Sequence, residues 1–227
     1  MHLVDAVVRT RDGRTLLRVD ELSIAPGERV VVTGPSGAGK TLLLRVLAGR
    51  LPAGLTLGGD RAPVPDAAAR ASTSGLPSAI PATSARRTAV PGRIATVPQR
   101  GLDALHPLVP LAAQLRTVTR STRERVDDVL RAVGLDEPGL SRRRPAELSG
   151  GQAQRAAIAL AVLSDAPLVL ADEPTSALDH VTRDRVVALL RRVLAPAQAL
   201  VLSTHDPEVA DRLAARHVRV VDGRIAA

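Results

Sequence analysis

The stretch Gly34-Pro35-Ser36-Gly37-Ala38-Gly39-Lys40-Thr41 has the spacing G-x-x-x-x-G-K-[ST]. Glycines at these places let the backbone wrap so that its N–H groups face phosphate oxygens. A helix starting there adds its positive end. Lys40 is then placed to bridge a β- and a γ-phosphate, and the Thr41 hydroxyl to bind Mg²⁺. Lys40 is also the single lysine among 31 basic side chains. An ammonium is a compact point charge, whereas a loop wrapped around phosphate leaves no room for a planar guanidinium fork. Composition and motif therefore point to the same residue. Taken alone, the motif implies a bound nucleoside triphosphate, a property that kinases and GTPases share.

Asp172 and Glu173 follow the apolar run Leu168-Val169-Leu170-Ala171. Asp172 can hold Mg²⁺ through water. Glu173 is then placed to polarise an attacking water as a general base. Any strand can end in acids by chance. The pair gains meaning from the phosphate loop upstream of it.

The elements that must position these groups are legible in outline. Residues 16–24 and 29–33 read as strands, with Pro26-Gly27 turning between them. Residues 41–49 predict a helix ended by Gly49 and Pro52. Strand, glycine loop and helix in that order are the context a phosphate-binding loop needs. Residues 61–92 hold five Pro, nine Ala and seven Ser or Thr with no period, and predict a loose or partly disordered insertion. A strand resumes over 93–97. Ser121-Thr122-Arg123-Glu124 reads as a capping box for a helix closed by Gly134, and a second helix runs from near Gly150 to about Ser164. Residues 168–171 and 199–202 read as buried strands and 181–194 as a helix. Asp206 can cap a helix with Pro207 at its first position, and residues 218–225 suggest a hairpin around Asp222-Gly223. Strands alternating with helices predict an α/β fold with a mainly parallel sheet.

Composition narrows the classes. A chain of 227 residues, 45% apolar, is long enough for one α/β domain with a sizeable core. Without cysteine it forms no disulfide and no thiolate metal site. The N-terminus lacks the basic and apolar regions of a signal peptide. The longest apolar run, Ala156 to Leu163, is far short of the roughly 18 residues that span a bilayer. A membrane role is therefore expected to come through a partner. The net charge of +8 reads as a solvated arginine-rich surface rather than a nucleic-acid surface, because no aromatic ring is available to stack a base.

Leu148-Ser149-Gly150-Gly151-Gln152 resembles the signature sequence of the ATP-binding cassette (ABC) ATPases. The resemblance then extends over most of the chain. Gln99 matches the family's Q-loop, Asp172 and Glu173 its Walker B pair, Ser176-Ala177-Leu178-Asp179 its D-loop and His205 its switch histidine. It implies one P-loop NTPase domain of α/β class over residues 1–227. That domain would have a mainly parallel core (1–98 and 165–227), a small antiparallel β subdomain and a helical signature subdomain (about 99–164). It implies ATP on the loop, Mg²⁺ on Thr41, Gln99 and Asp172, and His205 steadying the water with Glu173. Ser149 and its two glycines at a helix start also make physical sense as a second anion site, from hydroxyl, N–H groups and helix dipole together. One chain needs only one such site for its own nucleotide. In the family, the signature of one subunit closes over ATP held by another, so two ATP molecules are sandwiched in a head-to-tail dimer.

Two departures stand out. The family stacks adenine on an aromatic residue near the position of Arg11, and this chain has no aromatic residue, so a guanidinium would have to stack instead. Residues 61–92 replace a more regular segment, which predicts a reduced antiparallel subdomain.

The stretch from Arg100 to Leu108, and the sequence around Ala171 to Thr182, are similar to peptide and nickel importer ATPases. That branch implies a second ATPase subunit, two membrane permeases that dock near residues 99–115, and an extracellular substrate-binding protein. The expected place is the cytoplasmic face of the membrane, held peripherally through the permeases. A soluble ABC ATPase of DNA repair or translation is the alternative, though such proteins usually carry a coiled-coil insertion or two cassettes. A P-loop kinase or regulatory module is a third, against which the second anion site argues.

Overall fold

The computed structural model describes residues 1–62, 94–176, 180–213 and 215–226. The chain opens with two antiparallel strands, β1 (His2–Thr10) and β2 (Thr15–Ser23). Strand β3 (Arg29–Thr33) leads through the glycine loop into α1 (Lys40–Ala48). Strand β4 (Leu55–Ala62) returns antiparallel to the other edge of β1. After β5 (Ile94–Val97) come three helices, α2 (Leu111–Thr119), α3 (Arg123–Ala132) and α4 (Gly150–Leu163). Then follow β6 (Leu168–Asp172), α5 (His180–Val193), β7 (Ala199–Ser203) and α6 (Pro207–Leu213). The hairpin β8 (Arg216–Val221) and β9 (Arg224–Ala226) completes the order. The strands form one sheet in the order β4-β1-β2-β9-β8-β3-β7-β6-β5, parallel from β8 through β5.

The central strands are short, apolar and buried on both faces, as parallel strands covered by helices must be. The strand period of two divides them between two cores. Val30 and Val32 pack with Leu43, Leu44, Val46 and Leu47 of α1. Val31 faces the other way, into the cluster built from α2 to α6. Among the described residues no helix is long and apolar enough to cross a membrane.

The antiparallel part is built from β1, β2 and β4, which pair over most of their lengths. The structure differs from expectation in two places. Strand β1 escaped the periodic reading because its register shifts between Val4 and Val7, where Asp5 adopts φ +48. That bulge breaks the alternation, so Leu3, Ala6 and Val8 are the buried positions. The capping residue of α3 is Thr122, which accepts from the Arg125 amide at 3.3 Å, one position later than the predicted box. Within the expected insertion, residues 61 and 62 end β4, and the rest lies outside the described residues, as do Ala177, Leu178 and Asp179 of the D-loop match.

The hairpin turn lies against both the glycine loop and β2. Asp222 and Gly223 have φ +46 and +72, the signs a two-residue I′ turn requires. The Gly223 amide donates to Ala38 O at 3.0 Å, and its carbonyl accepts from the Arg18 amide at 2.6 Å. A Cβ on Gly223 would lie 2.3 Å from Leu16 O, so only glycine fits there.

Candidate functional site

The glycine loop sits at the carboxyl end of β3. Gly34 has φ +150, and a Cβ there would meet Val220 O at 2.1 Å, so the loop lies hard against β8. Helix α1 starts after Gly39 with no capping side chain and no acidic residue in its first turn. Its first amides, and the positive end of its dipole, are left to an external anion. Lys40 is 5% exposed. Its ammonium donates to Gly34 O at 2.9 Å and Pro35 O at 3.1 Å, and lies 3.5 Å from Glu173 Oε1. The loop, with Leu16, Leu42, Arg45 and Glu173, lines an open cleft of about 390 Å³.

The acids arrive on the neighbouring strand. Parallel pairing of β6 with β7 sets Asp172 opposite Ser203. Asp172 Oδ1 accepts from Ser203 Oγ at 2.7 Å and from Thr41 Oγ1 at 3.1 Å. Glu173 adopts φ +42, a left-handed conformation that costs a non-glycine residue on the order of 1 kcal/mol. It is held there by its amide, which donates to both Ser203 O (3.1 Å) and Ser203 Oγ (3.0 Å). Ser176 closes the turn, its amide and hydroxyl both donating to Glu173 O. The strained turn brings the carboxylate between the Lys40 ammonium and the His205 imidazole: Oε1 lies near Lys40, and Oε2 3.4 Å from His205 Nδ1. The Glu173 side chain is 23% exposed, so water can reach it.

Lys40, Thr41, Asp172, Glu173 and His205 therefore meet. Gln99 reaches the group indirectly: its amide donates to Ser176 Oγ at 2.8 Å. Arg11 stands at the exposed turn between β1 and β2, beside Gly54, and is not among the cleft-lining residues. Nor are Ser149 to Gln152. Ser149 caps α4: its Oγ accepts from the Gln152 amide at 3.2 Å, and Gln152 Oε1 accepts from the Ser149 amide at 2.9 Å. The amides of Gly150 and Gly151 stay outside that box, on an exposed helix start. Sequence reasoning missed Ser203 as a member of the site. The signal was a serine ending an otherwise apolar, fully buried strand.

The donor set suits Mg²⁺. Thr41 and Asp172 offer two hard oxygens 3.1 Å apart. This ion typically takes one or two protein oxygens and completes its shell with phosphate oxygens and water.

A family model described as ABC transporter matches residues 17–176. A thiamine import ATP-binding protein of Salmonella choleraesuis is 36% identical over 90% of this chain and 81% of its own length. An aliphatic sulfonates import ATP-binding protein of Nocardia farcinica is 38% identical over 94% of this chain and 75% of its own. A macrolide export ATP-binding/permease protein of Paracoccus denitrificans is 37% identical over 94% of this chain, which spans only 30% of that longer protein. Among solved structures, a dimeric ATP-binding cassette in a post-hydrolysis state with ADP and Pi overlays all of this chain and 97% of its own, with TM-score 0.72 and 27% identity.

Proposed function

The chain belongs to the ABC transporter family, and on that footing we propose that it is the ATP-hydrolysing subunit of a membrane transporter, working as an ATP-sandwich dimer. One observation carries the reading. A single carboxylate, Glu173, lies within 3.5 Å of both Lys40 and His205, beside the Thr41–Asp172 pair.

In this reading the triphosphate lies along the glycine loop. The free amides of α1 and the Lys40 ammonium stabilise the charge that develops on the phosphoryl oxygens. Thr41 and Asp172 hold Mg²⁺, which neutralises phosphate charge when bound. Glu173 accepts a proton from the attacking water, and His205 orients that water and the γ-phosphate. The exposed Ser149-Gly150-Gly151 helix start, away from the chain's own cleft, is the surface that meets the nucleotide of a second subunit. The dimeric relative with ADP and Pi supports that pairing.

Two relatives are named as import proteins, which supports an importer. Permeases and an extracellular binding protein would then be the partners, and the chain would sit on the cytoplasmic face of the membrane through them. The likeness to peptide and nickel systems rests on the residues after Gln99 and around Asp172. The thiamine, sulfonate and macrolide relatives do not single it out.

The test is light scattering after size exclusion on Glu173→Gln, with and without Mg-ATP. We expect bound ATP, no turnover and an ATP-dependent shift to a dimer. Binding without a shift points to a different chain as the second subunit. Normal hydrolysis by Glu173→Gln removes the base assignment.

A further inference from the structure

His205 has little around it to hold its ring. Its side chain is 62% exposed, and it lies 3.4 Å from Glu173. An imidazole without a packed wall takes its direction from its own backbone, and both neighbours of His205 are pinned. Thr204, 3% exposed, donates its amide to Val32 O at 3.0 Å, and its hydroxyl accepts from the Asp206 amide at 3.0 Å. Asp206 uses both carboxylate oxygens: Oδ1 accepts from the Glu208 amide at 3.0 Å, and Oδ2 takes the guanidinium of Arg183.

Arg183 lies in the first turn of α5, 23 positions from Asp206. Its side chain is 15% exposed and that of Asp206 is 19%, so the pair is shielded more than a surface ion pair. Its other charged neighbours are Glu208 at 3.4 Å and Asp184 at 3.5 Å, both of which also pair with Arg212. Arg212 can therefore satisfy those two carboxylates in its place. Asp206 has no such substitute among the described ion pairs.

We propose that Arg183 is a positioning residue for hydrolysis: by clamping Asp206 it fixes the rotation of the 204–206 turn and so the approach of His205 to Glu173. The same bond ties the start of α5 to the switch turn, so a movement of α5 is felt at the imidazole. This rests on the reading that Glu173 and His205 carry out ATP hydrolysis.

The experiment compares the full chain with Arg183→Ala, His205→Ala and the double variant, by kcat and KM for Mg-ATP and by thermal melting. Misplacing a catalytic group by about 1 Å can lose on the order of a hundredfold in rate. We expect Arg183→Ala to lower kcat about tenfold while KM for ATP stays within about twofold. In the His205→Ala background the same change should alter kcat by less than about twofold, because its route of action is already gone. Arg183→Lys keeps the charge and loses the fork. It should give an intermediate loss, and it serves if the alanine variant does not fold. Full activity of the lysine and alanine variants, or losses that multiply in the double variant, overturns the inference and leaves the hydrolysis reading intact. Parent-level turnover by His205→Ala overturns both.

Discussion

Ser203 Oγ donates to Asp172 Oδ1 at 2.7 Å. The same oxygen accepts from the Glu173 amide at 3.0 Å. One fully buried hydroxyl on β7 thus orients the proposed Mg²⁺ carboxylate and pins the strained residue that carries the proposed base. Ser203→Ala keeps the backbone bond from Glu173 to Ser203 O and removes only this bridge. A hydrogen bond to a charged group is worth about 1.5–3 kcal/mol. Melting should fall by several degrees, at about 2–4 °C per kcal/mol for a chain of this size. The Mg²⁺ concentration for half-maximal ATP hydrolysis should rise. A magnesium titration identical to the parent's would remove Ser203 from the site.

Lys40→Arg should be nearly as damaging as Lys40→Ala. The ammonium is 5% exposed and already donates to two loop carbonyls within 3.1 Å. A guanidinium is wider, planar and fixed in its donor directions. Calorimetric titration with Mg-ATP should detect no binding to either variant under conditions that saturate the parent. Parent-like affinity in Lys40→Arg would mean that the loop senses charge alone.

Base selectivity should be poor. The chain holds no aromatic residue, and the cleft wall beside the loop is the aliphatic Leu16. Aromatic stacking is worth about 1 kcal/mol, or about fivefold in affinity. GTP should therefore displace ATP at a comparable concentration in a competition assay. A hundredfold preference for ATP would show that the base is read by polar groups instead.

Acid stability should carry a contribution from Glu28. Burial raises its pKa, but the bond from Arg216 Nε at 2.6 Å and the Ala25 amide at 2.7 Å outweigh it, and the carboxyl stays below its usual 4.5. The folded chain then binds this proton more weakly than the unfolded chain. The stabilisation is complete above the unfolded value, near 4.5, and is lost as pH falls through the lower folded value. Glu28→Gln should lower the urea midpoint at neutral pH and flatten its fall below that value. Parallel acid limbs for variant and parent would contradict this.

The phosphate loop was legible because all of its information is local. Eight contiguous residues specify the turn, and the strand before it and helix after it carry their own periods. The buried strands at 168 and 199 were legible for the same reason. The edges were harder. The Asp5 bulge in β1 breaks the alternation that reveals a strand. The α3 cap lies one residue beyond its expected place because Thr122 and Ser121 both offer a hydroxyl, and Ser121 Oγ instead accepts from Thr119 Oγ1 at 2.8 Å.

By itself the sequence determined which residue types stand at the ends of which strands, since side-chain chemistry and short-range periodicity are properties of neighbouring residues. The tertiary structure alone decided which of them meet. Thr41 and Asp172 are 131 positions apart, and their contact follows from the shared parallel register of β3, β7 and β6. That register also put Ser203 beneath both acids, while Arg11 remained at an exposed turn and Leu16 on the cleft wall. Register depends on how whole strands pack between two cores, and no short stretch of sequence contains that balance.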